Sequence, residues 1–390
     1  MRLSSLERNR ITRAVEDARR SGHRLVDLTT TNPTTVGIEY PCDLLAPLAS
    51  PAALTYAPHP FGSLEARAAV AGDYARRGII VDPGRIVLTA STSEAYSLLF
   101  KLLCAPAGDA VLVPVPSYPL FEHLTLLDGV KAIVYPLEYH GRWMVAFEEV
   151  DRVWTEAVRA VLAVSPNNPT GSVLAADEVA GLSYRCAQRD AALIIDEVFA
   201  DYPIADAADN RLPAATTADG NRAGCLTFRL GGLSKSAGLP QVKLGWIAVD
   251  GPDESVREAL ERFEVVCDAY LSVSTPVQVA AAQLIESGAA IRARIQARIR
   301  ANWRTLGQIA SRYRSIEVLP ADAGWSAVLR VPAVRSEEDL VVDLIERDDV
   351  LVHPGFYFDF PGEAFVVVSL LPETGLFERG IETVVRRAHA

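Results

Sequence analysis

Seven short apolar segments alternate with helical patterns between residues 85 and 249, and this alternation limits the folds open to the chain most strongly. Several segments are apolar at every position, as strands are when helices cover both faces of a parallel sheet. The sequence therefore predicts an α/β fold whose large domain holds a mostly parallel, seven-stranded sheet sandwiched by helices. The predicted strands are 85–89, 110–114, 131–136, 158–165, 191–196, 225–230 and 244–249.

The pattern changes after about residue 285. A predicted long helix at 290–311 is followed by short apolar stretches that indicate a small sheet, and then by a terminal helix. We expect a smaller α+β domain over 286–390 and the large domain over 46–285. Residues 1–45 are expected to form an N-terminal arm and helix that pack with the small domain. The other predicted helices are 6–20, 63–77, 93–103, 121–127 and 175–188.

Charge and cysteine content argue against several function classes. The chain has 38 basic and 49 acidic side chains, a net charge of −11, and no basic cluster, so we expect neither nucleic acid nor a membrane as a partner. No apolar run has membrane-spanning length, and the first twenty residues lack the apolar core of a signal peptide. The five cysteines are scattered without metal-ligand spacing, which predicts free thiols in a reducing cytoplasm and no metal site.

The apolar segment 158–165 leads into the sequence SPNNPTG, which contains two adjacent asparagines, Asn167 and Asn168. Asparagine, proline and glycine form turns by their own chemistry, so the motif could be a turn and nothing more. The alternative is that one of the two amides is directed at a ligand, because ligands bind at the carboxyl ends of strands in open α/β sheets.

Two ionisable side chains also follow predicted strands. Asp196 ends the strand at 191–196 and is either a helix N-cap or a ligand-binding group. Lys235 lies in a turn rich in glycine and serine, where it is either a surface lysine or a partly desolvated amine whose lowered pKa suits attack on a carbonyl. Lys243, eight residues later, could supply a second cation to the same region.

Hydroxyl groups and an aromatic ring follow two further strands. Tyr118 lies in a proline-rich turn and is either a packing residue or a flat surface for a planar ring. At the predicted start of a helix, hydroxyls cap the helix by default but also form a site for a phosphate. The hydroxyls here belong to Ser91, Thr92 and Ser93. Together these groups match the parts of pyridoxal phosphate. The anion site suits its phosphate, the aromatic surface its ring, the amide its phenolic oxygen, the carboxylate its ring nitrogen and the amine its aldehyde.

With these motifs in this order, the sequence resembles the class I and II aminotransferases, a family of fold-type I pyridoxal-phosphate enzymes. The resemblance covers nearly the whole chain and is carried by YAPHPFG, TASTSEA, PSYP, NNPTG, DEVF, LSK and LVHPG. It implies that Lys235 forms the Schiff base and moves the substrate's α-proton. It also implies that Asp196 keeps the pyridine nitrogen protonated, that Asn168 donates to the phenolic oxygen, and that Asn167 completes the turn.

The resemblance assigns further residues to the cofactor. It implies that Tyr118 stacks on the ring and that Ser234 lies beside the cofactor. The expected phosphate loop consists of Ser91, Thr92 and Ser93. Tyr56 resembles a tyrosine that reaches the phosphate of the neighbouring subunit, which implies a homodimer with shared active sites.

Three positions near the expected cofactor depart from the family's usual pattern. Phe199 stands where a tyrosine usually donates to the phenolic oxygen, and Gly232 stands where a serine usually binds the phosphate. Lys243 replaces an arginine and offers a point charge instead of a bidentate fork. We therefore expect the phosphate to be bound through fewer fixed contacts.

The largest departure concerns the substrate's carboxylate. The family usually binds it with an arginine two residues before a serine, and the matching residue here is Val367, before Ser369. Either another cation supplies the contact, or the substrate carries no carboxylate at that place. The candidate substrate-binding residues are Thr31, Asn32, Trp325, Phe356 and Val367. Four aromatic residues are expected to form a wall of the site or, equally, to pack in the core of the small domain. They are Trp325, Phe356, Tyr357 and Phe358.

These residues predict a pyridoxal-phosphate-dependent aminotransferase that moves an amino group between a small-molecule amino donor and a keto acceptor. The missing arginine leaves open a lyase, decarboxylase or racemase on the same scaffold. A non-catalytic sensor, formed when this fold is fused to a DNA-binding module, ranks last, because no helix-turn-helix segment precedes residue 50.

Overall fold

The computed structural model describes residues 9–204, 224–271 and 273–390. The helices are α1 (Arg10–Arg20), α2 (Leu64–Arg76), α3 (Thr92–Leu103), α4 (Leu120–Asp128), α5 (Phe147–Val153), α6 (Ala176–Gln188), α7 (Leu233–Ser236), α8 (Asp253–Tyr270), α9 (Thr275–Ala310), α10 (Glu337–Asp348) and α11 (Thr374–His389). The strands are β1 (Val26–Asp27), β2 (Ile86–Thr89), β3 (Ala110–Val115), β4 (Lys131–Tyr139), β5 (Trp143–Val145), β6 (Val158–Val164), β7 (Ala192–Asp196), β8 (Thr227–Gly232), β9 (Gly245–Asp250), β10 (Glu317–Val318), β11 (Ser326–Arg330), β12 (Val350–Leu351), β13 (His353–Pro354) and β14 (Phe365–Ser369).

The largest sheet among the described residues has eight strands in the order β2-β9-β8-β7-β6-β3-β4-β5. Six strands run in one direction, and β9 and β5 run against them. The predicted α/β fold with a mostly parallel sheet is confirmed, and all seven predicted strands belong to it. The eighth strand, β5, is a three-residue edge strand, which is too short to give a periodic pattern in the sequence.

Apolar side chains on both faces hold this sheet between helices. Every residue of β6 except Arg159 is buried. Val161 packs in the same cluster as Leu182 of α6, whereas the next residue, Leu162, packs with Phe100 of α3. Successive side chains of a strand point to opposite faces, so β6 is covered on both sides.

The shared direction of the strands decides where the polar residues gather. Ser91 follows β2, Tyr118 follows β3 and Asn168 follows β6, while Asp196 ends β7 and Lys235 follows β8. The carboxyl ends of these strands lie at the same edge of the sheet. The topology therefore brings the predicted site residues to the edge where open α/β sheets bind ligands.

The later part of the chain forms a second, antiparallel sheet in the order β10-β11-β14-β13. It is preceded by α9, which begins at Thr275 and not at the predicted residue 290. Pro276 in the first turn and several alanines favour this earlier start. The division into segments 1–45, 46–285 and 286–390 stays a prediction.

The N-terminal segment lies beside this second sheet. β1 pairs in parallel with β12, with Val26 opposite Val350, and α1 packs on α10. Farther along, the backbone nitrogen of Ser369, at the end of β14, donates to the carbonyl of Leu28 at 2.7 Å. The residues that follow Leu28 are therefore held next to the end of β14.

By length and composition, no single helix in the described ranges could cross a membrane. The bent pair α8 and α9 passes the same test when the two helices are taken together.

Candidate active site

A cavity of about 610 Å³ lies at the carboxyl edge of the large sheet and is lined by residues of both sheets. Its size falls in the range of small-molecule binding sites. The predicted site residues that line it are Thr31, Thr92, Ser93, Tyr118, Asn168, Asp196, Phe199, Lys235 and Val367. Side chains from widely separated parts of the sequence thus face one cavity.

The two adjacent asparagines after β6 have different surroundings. Asn167 is buried, and its Nδ2 donates to a backbone carbonyl at 3.0 Å and to Thr170 Oγ1 at 2.8 Å, while its Oδ1 accepts from Ser117 Oγ at 3.1 Å. Asn168 lines the cavity, and its Oδ1 accepts from Ser326 Oγ at 3.3 Å. Within the described ranges, Asn168 Nδ2 has no partner. Asn167 therefore holds the turn together, and Asn168 keeps its amide donor available in the cavity.

Gly171 fixes the turn that carries the asparagines. Its φ of +69° lies in the left-handed region that favours glycine. A Cβ at this position would lie 2.5 Å from the Cβ of Ala321 and 2.8 Å from the carbonyl oxygen of Ala323. Only glycine allows this close approach, which packs the turn against the segment that leads into β11.

Asp196 is buried at the end of β7 and accepts two hydrogen bonds. Oδ2 accepts from Tyr96 Oη at 3.0 Å, and Oδ1 accepts from the backbone nitrogen of Val198 at 3.0 Å. Burial raises the pKa of Asp196 to about 6, and the two hydrogen bonds act in the opposite direction. A cationic group in the cavity would therefore stabilise the charged carboxylate.

Lys235 lies in α7, a single helical turn after β8, and its side chain lines the cavity. Tyr202 holds this turn, because its Oη donates to the carbonyl of Lys235 at 2.5 Å. The Nζ atom lies 5.0 Å from the ring centre of Trp325 and 5.7 Å from that of Phe199. Burial lowers the pKa of Lys235, whereas the charge of Asp196 raises it. The amine is thus nearer to its neutral, nucleophilic form than a surface lysine is.

The hydroxyl residues at the start of α3 cap the helix and line the cavity. Ser91 is the N-cap, because its Oγ accepts a hydrogen bond from the backbone nitrogen of Glu94 at 3.1 Å. The carboxylate of Glu94 in turn accepts from the backbone nitrogen of Ala90 at 2.5 Å. Thr92 and Ser93 line the cavity, and in the described structure their hydroxyls have no protein partner. With the free N–H groups of the first helical turn, they form a site suited to an anion.

Four residues predicted to bind the cofactor lie outside the cavity lining, namely Ser91, Ser234, Lys243 and Tyr56. Lys243 is exposed and has a φ of +61°, a backbone conformation unusual for a residue with a Cβ. Tyr56 is 68% exposed, so its ring is available to another molecule. The cofactor contacts predicted for these four residues stay predictions.

Three predicted substrate residues also lie outside the lining. Asn32 is exposed, and its Oδ1 accepts from the backbone nitrogen of Thr34 at 3.1 Å. Trp325 is buried behind Lys235 and packs edge-on against Phe199, with ring centres 5.4 Å apart. Phe356 is 42% exposed, whereas the next two residues, Tyr357 and Phe358, line the cavity.

Gly232, which stands where a serine was expected, has little room for a side chain. A Cβ at residue 232 would lie 3.2 Å from the carbonyl oxygen of Leu244 and 3.2 Å from the Cα of Gly245. These are backbone atoms of β9 and of the residue before it, so they yield little. The close approach of the neighbouring chain therefore favours glycine over serine at this position.

The fold and the placement of these residues agree with a comparison against protein families. The model of the family "Aminotransferase class I and II" matches residues 46–374. The chain belongs to this family. It is therefore an enzyme that transfers amino groups, and the predicted activity class is confirmed.

Relatives of this aminotransferase cover most of its length. It is 25% identical over 378 residues to the glutamate-pyruvate aminotransferase AlaA of Haemophilus influenzae. The aligned region covers 94% of this chain and 91% of that protein. It is 28% identical over 364 residues to an alanine aminotransferase of Mycobacterium tuberculosis, with 90% and 82% covered. The solved alanine aminotransferase of Pyrococcus furiosus shares its fold, with a TM-score of 0.82 at 20% identity and with 96% and 95% of the two chains covered.

The cavity of this aminotransferase contains residues that the sequence analysis missed. Tyr96 lies one helical turn after Thr92, so both residues are on one face of α3. This spacing was the sequence feature that could have predicted Tyr96 as a cavity residue. Ser326 and His353 line the cavity from β11 and β13. Their strands are short, and no local pattern indicated which of their side chains face the cavity.

Proposed function

We propose that this aminotransferase binds pyridoxal 5′-phosphate in the cavity and uses it to move an amino group between an amino donor and a keto acceptor. One observation carries the proposal: Lys235 and Asp196, from the adjacent strands β8 and β7, face the same cavity and influence each other's pKa. An amine and a carboxylate that face one cavity suit a ring that joins a lysine at one end and carries a basic nitrogen at the other.

The other lining residues fit the remaining parts of the cofactor. Thr92 and Ser93, with the first N–H groups of α3, would hold the phosphate. The free amide of Asn168 would donate to the phenolic oxygen, and Tyr118 would cover one face of the ring. Phe199 brings no hydroxyl, so the amide of Asn168 would be the main donor to that oxygen.

Bound pyridoxal phosphate supplies an electron sink conjugated to the substrate's reacting carbon. Asp196, ionised beside the ring nitrogen, would hold a proton on that nitrogen. Lys235 Nζ would take the α-proton from the substrate and return a proton later, a role for which its lowered pKa is suited. The relatives named above are aminotransferases, which favours amino transfer over elimination, decarboxylation or racemisation by the same two residues.

We further propose a homodimer in which Tyr56 reaches the phosphate site of the partner subunit. Tyr56 and its near neighbour Leu54 are 68% and 89% exposed, so both side chains are available to a partner subunit. Sedimentation analysis would measure the oligomeric state. A monomer, or cofactor binding that is unchanged in Tyr56→Phe, would contradict this arrangement.

The named relatives also suggest compounds and a location. Alanine, pyruvate and glutamate are the first substrates to test, because the relatives' names contain them. The five cysteines are free thiols, and we propose a reducing, cytoplasmic location on that basis. Fractionation of the source cells would test the location.

The proposed cofactor can be tested by absorption spectroscopy. Pyridoxal phosphate added to the protein should give a visible band that L-alanine or another amino donor converts to the pyridoxamine form. Lys235→Ala should abolish turnover, whereas Lys131→Ala, which removes an exposed lysine, should not change it. An unchanged spectrum on adding the cofactor, or turnover retained in Lys235→Ala, would refute the proposal.

A further inference from the structure

No arginine is among the described residues that line the cavity. Val367 is only 2% exposed, and it lines the cavity at the position that resembles the family's carboxylate-binding arginine. Of the described lining residues, Lys235 is the one with a lysine or arginine side chain, and the proposed function reserves it for the cofactor. A substrate carboxylate therefore needs another partner.

The register of the second sheet identifies a candidate. His353 of β13 lies directly opposite Val367 of β14 in an antiparallel pair. Opposed residues in such a pair point to the same face of the sheet, and both of these residues line the cavity. The histidine thus enters the space where an arginine at position 367 would project.

The ring of His353 packs against two other aromatic rings. It contacts the rings of Tyr357 and Phe358, with centre distances of 5.9 and 5.8 Å. Neither ring nitrogen has a hydrogen-bond partner among residues 9–204, 224–271 and 273–390. Aromatic contacts fix the plane of the ring and leave its nitrogens for a ligand in the cavity.

We propose that His353 binds the carboxylate of the amino donor and keto acceptor, in place of the arginine that Val367 has replaced. This inference rests on the proposed function, whose first substrates to test, alanine, pyruvate and glutamate, all carry a carboxylate. Among the lining residues that the structure describes, His353 is the other side chain that can carry a positive charge, and even its neutral ring offers one N–H donor. A single hydrogen bond replaces a bidentate pair, so the site binds carboxylates more weakly and with less directional selectivity than an arginine does.

The surroundings of His353 support this role. Asp27 is near enough for its charge to favour the protonated ring, although burial lowers the pKa of His353. Oδ1 of Asp27 already accepts from the backbone nitrogen of Thr29 at 2.8 Å and from its hydroxyl at 2.6 Å. Asp27 therefore supports the histidine from the side of β1 and does not occupy its ring nitrogens.

The test compares two ligands that cannot react, propionate and its neutral isostere propionamide. Their dissociation constants are measured by calorimetry on the protein loaded with pyridoxal phosphate. In the wild type, propionate should bind more tightly than propionamide. In His353→Leu the preference should fall about tenfold or more, as expected for a lost hydrogen bond to a charged group, and in His353→Gln it should fall less. His140→Leu, which removes an exposed histidine paired with Glu138, serves as the control and should keep the wild-type preference.

Thermal unfolding and the cofactor spectrum of each variant show whether it is folded. If His353→Leu does not fold, the comparison is made with His353→Gln. A wild type without preference for propionate, or a preference unchanged in the folded His353 variant, would overturn the inference. The proposed function is tested separately, because it fails if no amino donor converts the cofactor, whereas propionate binding requires no turnover.

Discussion

Tyr96 donates a hydrogen bond of 3.0 Å to Oδ2 of Asp196, and both side chains are buried. The bond connects α3, whose first turn forms the anion site, with the end of β7. It also stabilises the charged form of a carboxylate whose pKa burial raises to about 6. Tyr96 is thus a positioning residue for Asp196, which itself faces the cofactor in the proposed function.

Replacing Tyr96 by Phe should raise the pKa of Asp196 further, because one hydrogen bond to the carboxylate is lost. A less fully ionised carboxylate would pair less well with a ring nitrogen, and we expect cofactor binding to weaken about tenfold. Equilibrium titration with pyridoxal phosphate between pH 5 and 8 measures this effect, which should be larger toward pH 6 than at pH 8. The control is Tyr184→Phe, which alters a tyrosine that is 64% exposed. Equal affinities of the two variants would contradict the role of Tyr96.

Asp196→Asn should stabilise the cofactor-free protein while weakening cofactor binding. The folded state raises the pKa of Asp196 from 3.8 to about 6, so folding disfavours the ionised carboxylate. This cost is absent below pH 3.8, grows as the pH rises, and is complete above about pH 6, where it reaches at most about 3 kcal/mol.

Urea unfolding of the two proteins at pH 5 and pH 8 measures this cost. The variant's gain in unfolding free energy should be larger at pH 8 and smaller at pH 5. Saturating pyridoxal phosphate should reverse the order at pH 8, because the cofactor binds the folded wild type more tightly. A gain that is independent of pH would show that ionisation of Asp196 does not cause it.

The sequence was sufficient to predict seven strands of the large sheet, their mostly parallel arrangement and the edge where the polar residues gather. These follow from local apolar patterns and from the rule that parallel strands align their carboxyl ends. It was not sufficient for side chains whose position depends on distant pairing. His353 faces the cavity because β13 pairs with β14. Phe356 lies outside the lining while Tyr357 and Phe358 belong to it, and this difference depends on the single 3₁₀ turn Gly355–Phe358.

The two asparagines of the opening motif should give opposite results when replaced. Asn167→Ala removes a buried amide with three hydrogen bonds, and we expect it to lower the unfolding free energy by about 2–3 kcal/mol. Asn168→Ala removes a side chain that lines the cavity and accepts one long bond, so stability should change by less than about 1 kcal/mol. Asn168→Ala should instead shift the visible absorption of the bound cofactor. Unfolding curves and absorption spectra of both variants provide the check. If the two variants had the same stability and the same cofactor spectrum, the separate roles of Asn167 and Asn168 would be contradicted.

An arginine introduced at Val367 should strengthen the binding of carboxylate substrates. Val367 lines the cavity opposite His353, so an arginine there would lie beside the histidine, where a guanidinium can bind a carboxylate through two hydrogen bonds. We expect the KM for L-alanine to fall about tenfold in Val367→Arg, with little change for ethylamine, which lacks the carboxylate. Val367→Leu keeps the wall apolar and should show no such gain. Steady-state kinetics with both amines separates the two effects, because an equal improvement for ethylamine would mean that the arginine acts on something other than the carboxylate.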